Sequence, residues 1–227
     1  MCPLALTSFR LQKEDFLIYK DSFIEVKNKF LYFLNHQFYQ TMIKGCLDIH
    51  KYKKFLECDI TFLTHKINLA LDIQKEMNFR NKSLKIDSVS DIAGHIQDGK
   101  EKIIDEYFKI TNKPPRYIRN INFNKNIVNT KDSIEMNILG FAMSSVIFYY
   151  LVQNNEDLYR SRLKNNVSSF FDIGFSDEWI GSVELAIFRI NGLYKSMNSN
   201  EKSRALKIFE NFLNLEIDFL DQVKRNL

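Results

Sequence analysis

Apolar residues recur at three- and four-residue steps along nearly the whole chain, the repeat of helices that bury one face. The pattern predicts helices over about 12 to 32, 33 to 44, 49 to 78, 85 to 111, 132 to 153, 155 to 171, 177 to 197 and 200 to 225. Several starts carry capping chemistry. Asp48 precedes the third helix, Asp132 with Glu135 forms a capping box, and Ser176 is followed by Asp177 and Glu178 in the first turn, where acids favour the helix dipole. Gly45 is the clearest stop. The stretch from about 111 to 131 holds Pro114, Pro115 and many Asn, and reads either as a linker or as a loop with a short helix at Tyr117. Seven Gly and three Pro in 227 residues are too few for the many tight turns of a sandwich or barrel, so the expected class is all-α.

Two of the apolar stripes carry a carboxylate. In the third helix the inward face runs Tyr52, Phe55, Leu56, Asp59, Phe62, Leu63, Ile67 and Ala70, with Asp59 inside it. The last helix repeats this as Leu206, Phe209, Leu213, Glu216, Leu220 and Val223. An unpaired buried carboxylate costs several kcal/mol, so each must be paired, hydrogen-bonded, protonated or facing a polar cavity. Structural pairing explains either one alone; two of them on separate helices of one small bundle point to a polar pocket between helices. The most apolar helix adds Ser145 and Tyr149, four apart on one face, with Ser144 beside them. Each also has an ordinary structural reading: a serine hydroxyl bonded back to a carbonyl one turn earlier, and a core aromatic with its hydroxyl satisfied.

Composition narrows the function classes. With 45% hydrophobic and 26% charged residues the chain has a soluble globular make-up. Its 32 basic residues are scattered among 28 acidic ones, so no basic stripe marks a nucleic-acid partner. The apolar window from 137 to 152 is short of the roughly 20 residues needed to cross a bilayer and reads as a buried core helix, so no membrane partner is expected. Cys2, Cys46 and Cys58 are odd in number and lack C-x-x-C spacing, which indicates neither a disulfide framework nor a thiolate zinc site. The N-terminus has no basic n-region, and Arg10 and Lys13 interrupt it before any apolar run of signal length. A cytoplasmic location is the expectation.

Beyond these patterns, His36-Gln-Phe38 … Gly45-Cys-Leu47 … Tyr52 … Phe55 … Asp59-Ile-Thr-Phe62-Leu63 resembles the H-P-F … G-x-L … Q-D-x-x-[YF]-L stretch of the TenA (thiaminase II-like) family, with no gap between His36 and Asp59. The ending Leu215-Glu216-Ile-Asp-Phe219-Leu220-Asp221 is similar to that family's Y-E-x-x-F-W-D close. Leu139 to Tyr149 sits where the family has L-A-A-L-L-P-C-x-W-x-Y. The resemblance implies one haem-oxygenase-like helical domain spanning 1 to 227, with 1 to 11 as an N-terminal extension, assembled as a homotetramer. It also implies an aminopyrimidine hydrolase of thiamin salvage acting on an aminomethyl-pyrimidine or thiamin-derived pyrimidine, with no cofactor. Carried over by position, Asp59 anchors the pyrimidine and Glu216 is the acid/base. Tyr149 is a hydroxyl beside the nucleophile, and Tyr117 is a pocket-wall aromatic.

The departures bear on mechanism. The family's nucleophilic cysteine falls on Ser145, and Phe62 and Phe175 stand where substrate-binding tyrosines are common. A serine hydroxyl is a far weaker nucleophile than a thiolate and needs an adjacent base, yet no His lies near Ser145 in sequence. Cys58 neighbours Asp59, but adjacent helical residues point about 100° apart, and a packed thiol is the simpler reading. No histidine follows His95, so a di-metal or haem centre lacks ligands in the second half, and no metal is expected. His36 reads as opening a helix and His65 as packed or at the surface. Two functions follow from different classes: a diverged aminopyrimidine hydrolase, or a non-catalytic pyrimidine-binding or assembly protein on the same fold.

Overall fold

A computed structural model describes residues 11–79, 87–118, 134–161, 171, 172 and 174–226. Every regular element among them is helical. A 3-10 turn at Lys13–Asp15 precedes α1 (Leu17–Asp21), α2 (Ile24–Leu34), α3 (Gln37–Ile43), α4 (Ile49–Phe79) and α5 (Asp87–Thr111). Then come α6 (Ile134–Asn154), α7 (Glu156–Ser161), α8 (Asp177–Ser196) and α9 (Ser199–Asn226). No helix of the described residues is long and apolar enough to cross a membrane.

The expected continuous helix from 12 to 32 is broken twice. Phe16 is extended (ψ 102°), and Ser22 and Phe23 are extended (ψ 150° and 157°). Tertiary packing overrides the local period at the first place. Phe16 is completely buried, edge-on to Phe209 at 5.7 Å, and the chain around it is tied to α8. The Asn191 side chain accepts from Leu17 N–H (3.0 Å) and donates to Asp15 C=O (2.7 Å). At the second break the Ser22 hydroxyl donates to Ile18 C=O and the Lys27 ammonium to Lys20 C=O, so the end of α1 is satisfied without continuing it. The helix expected over 33 to 44 begins at Gln37 because His36 caps it, its Nδ1 accepting from Phe38 N–H. Gly45 stops α3 with φ 70°, a left-handed conformation that favours glycine.

Asp48 starts α4 as expected, accepting from His50 N–H at 2.8 Å, and Ser176 starts α8, accepting from Trp179 N–H. Asn198 and Glu201 cap α9 reciprocally, a start the sequence reading did not single out. Residues 112–118 form no helix and dock on α4, Ile118 N–H donating to Thr61 Oγ1. The Asp132 capping box and most of the helix expected over 155 to 171 lie outside the described residues.

One contiguous core joins the helices. α6 lies at its centre, its residues from Val146 to Val152 buried except for the half-buried Phe148. α4 and α9 pack against it and against each other, and α5 pairs with α4. Gly140 lets α6 and α9 approach closely: a Cβ there would come within 2.5 Å of Ile208 and 2.8 Å of Phe212. This contact brings the polar faces of α4, α6 and α9 into one cluster.

Candidate functional site

Both carboxylates marked by the periodicity are buried, Asp59 at 5% exposure and Glu216 at 6%. Asp59 sits on α4 and Glu216 on α9, the two helices meeting beneath α6. Between them lies Lys66, 7% exposed, whose ammonium donates to Glu216 Oε1 at 2.5 Å. The Ser144 hydroxyl donates to the same oxygen at 2.9 Å. The Lys66 ammonium also stands 4.6 Å above the Phe62 ring, a cation–π contact, and Phe62 stacks on Phe219 with centroids 4.3 Å apart. The result is a small charged cluster walled by aromatic faces.

Asp59 is the unsatisfied member. Its Oδ2 is buried and makes no hydrogen bond. Burial pushes the carboxyl up to about 7; the Lys66 charge lowers it and the Glu216 charge raises it further. Tyr39 of α3 closes the cluster, fully buried, its phenol held well above the ordinary range by burial and by the charges of Glu216 and Asp59. A buried acceptor without a donor is costly, so this arrangement suits a ligand that brings a donor to Asp59. An aminopyrimidine edge does so. A carboxylate accepts from the amino group, and in the protonated form the acid also donates to the ring nitrogen beside it.

The other expected residues are distributed more widely. Ser145 is half-buried on α6, about 100° around the helix from Ser144, so the hydroxyl that meets Glu216 is that of Ser144. The Tyr149 hydroxyl donates to Glu184 on α8 at 2.7 Å. Tyr117 is exposed, its hydroxyl 2.9 Å from His65 Nε2. Phe175 stacks on Tyr159 with centroids 3.9 Å apart. Asp59, Phe62 and Glu216 are thus brought into one cluster with Lys66 and Ser144. Cys58 is buried and its thiol is pushed up to about 11 by burial, which leaves it unreactive at neutral pH.

Lys66 escaped the sequence reading, although its position carried a signal. Residues 59, 62 and 66 step by three and four, so Lys66 continues the Asp59 face of α4 two turns on. A lysine on an inward stripe, facing a helix that also carries an inward glutamate, is a pair that spacing alone can nominate.

No family model matches this sequence, and no curated protein matches it. Among solved structures, the TenA homologue protein from P. horikoshii OT3 superposes with a TM-score of 0.73 over 93% of this chain and 98% of that one, at 15% identity. The chain therefore has the all-α, haem-oxygenase-like fold of that TenA homologue.

Proposed function

We propose that this protein is a TenA-like aminopyrimidine aminohydrolase that binds a small aminopyrimidine between α4, α6 and α9. The observation that carries the reading is the buried Asp59 Oδ2, an acceptor with no donor, in one cluster with Glu216. Asp59 takes the amino group and ring nitrogen of the pyrimidine, next to the stacked Phe62–Phe219 pair. Glu216 is the acid/base. A water adds its oxygen to the exocyclic carbon as the C–N bond breaks, and Glu216 passes the water's proton to the departing amine. Lys66 and Ser144 hold the Glu216 carboxylate in place through their hydrogen bonds.

The position of Lys66 also favours a second reading, a pyrimidine binder without turnover. Its ammonium already occupies Glu216, where the hydrolase would handle the substrate's amine, and neither Ser144 nor Ser145 supplies a thiolate. A binder of this kind prefers the uncharged hydroxymethyl pyrimidine to the aminomethyl cation, because Lys66 repels the latter.

The test is titration of the full chain with both pyrimidines, with ammonia release measured in parallel. The hydrolase reading expects release that Glu216→Gln abolishes while binding persists. Binding without release supports the second reading. Failure of both pyrimidines to bind, or binding unaffected by Asp59→Asn, overturns the site.

A further inference from the structure

Away from the Asp59–Glu216 cluster, a cleft of about 380 Å³ opens where the N-terminal turn, the end of α2 and the junction of α6 with α7 meet. Hydrogen bonds between these segments pin its frame. The Tyr150 hydroxyl donates to Gln12 C=O at 3.0 Å, and the side-chain amides of Asn154 and Asn155 both donate to Leu34 C=O, at 3.3 and 3.0 Å. Leu11, Leu34 and Tyr150 supply apolar surface, and the volume is that of a small-ligand site.

Charges of both signs line this cleft without neutralising each other. Lys13 comes from the N-terminal turn and Asp157 from the first turn of α7, and among the described residues neither makes an ion pair, with the other or with any third residue. The neighbouring acid, Glu156, is already paired with Arg160. Asn154 spends its Nδ2 on Leu34 and Asn35, which leaves its Oδ1 as a further acceptor. An ammonium and a carboxylate that share one small cleft without meeting are complementary to a molecule that carries the two opposite charges itself. The apolar surface between the polar groups asks for a short aliphatic group on the same molecule.

We propose that this cleft binds a free α-amino acid with an aliphatic side chain. Lys13 takes the carboxylate, Asp157 and the Asn154 Oδ1 take the ammonium, and the side chain lies against Leu11, Leu34 and Tyr150. A simple amine or a simple acid would match one charge and leave the other unmatched. The inference does not depend on the pyrimidine reading, since none of its residues belongs to the Asp59–Glu216 cluster. Asp157 is exposed and Lys13 half-buried, so water screens both contacts and binding is modest, with dissociation near millimolar concentration.

Chemical-shift titration of the full chain by NMR, with L-leucine and three relatives, tests this. N-acetyl-leucine lacks the ammonium, leucinamide lacks the carboxylate and glycine lacks the side chain, and each should bind about fivefold more weakly than leucine, or worse. Lys13→Gln should weaken leucine binding by about fivefold and leave leucinamide unchanged, whereas Asp157→Asn should weaken leucine equally and leave N-acetyl-leucine unchanged. Neither side chain is buried, so both variants should keep the parent's circular dichroism spectrum. Four results would each overturn the proposal: no shifts with leucine up to about 20 mM, shifts confined to residues away from the cleft, either blocked leucine binding as well as leucine itself, or leucine affinity untouched by either substitution.

Discussion

The Lys66 ammonium lies 2.5 Å from Glu216 Oε1, and both side chains are less than a tenth exposed. Such a pair is strongly destabilised by removing one partner, because the other is left as a buried charge. Lys66→Met and Glu216→Gln should each cost about 3 kcal/mol or more, while the double variant should cost much less than their sum. Urea unfolding of the four proteins measures the coupling. Additive losses would show that the pair does not act as one unit.

Asp59 makes folding stability depend on pH in an unusual direction. Its folded carboxyl titrates near 7, above the ordinary value of 3.8, so the folded protein holds this proton more tightly than the unfolded chain. Its contribution is therefore most favourable below the unfolded value and is lost as pH rises from about 4 through 7. At about 1.4 kcal/mol per pH unit, the loss is on the order of 4 kcal/mol at most. Asp59→Asn should flatten this part of the profile and stabilise the protein at pH 8, as read by thermal unfolding from pH 5 to 8. A profile unchanged by the substitution would refute the assignment.

Gly140 sets the distance between α6 and α9, and through it the Ser144–Glu216 contact. Gly140→Ala places a methyl group against Ile208 and Phe212, and overpacking of this kind costs about 1 to 3 kcal/mol despite alanine's better helix propensity. A lower melting temperature is expected. If the variant is more stable than the parent, the two helices are not in tight contact.

Ser144 and Tyr149 should separate the site from its surroundings. Ser144→Ala removes a donor from Glu216 and should alter pyrimidine binding or turnover. Tyr149→Phe removes a donor from Glu184 and should cost about 1 kcal/mol of stability while changing pyrimidine affinity less than twofold. Isothermal titration of both variants decides. An affinity loss confined to Tyr149→Phe would move the site toward α8.

Much of this protein is fixed by sequence alone. The helical period and the shortage of turn residues determine an all-α chain, because a 3.6-residue repeat buries one face and leaves few other ways to satisfy the backbone. The same arithmetic singles out Asp59 and Glu216, since a charge on an apolar stripe must enter the core wherever the helix docks. Caps at Asp48 and Ser176 are legible because their hydrogen bonds are local. Long-range contacts decide the rest. The break at Phe16 follows from packing on Phe209 and ties to Asn191, which the local period does not contain. The family spacing points to Ser145, yet the rotation of α6 against α9 presents Ser144 to Glu216. The Tyr149 hydroxyl is directed by Glu184 on a helix thirty-five residues away. Lys66 becomes part of the site only because α9 brings Glu216 to it across 150 residues. Periodicity says which face turns inward; the docking of whole helices says which inward residues meet.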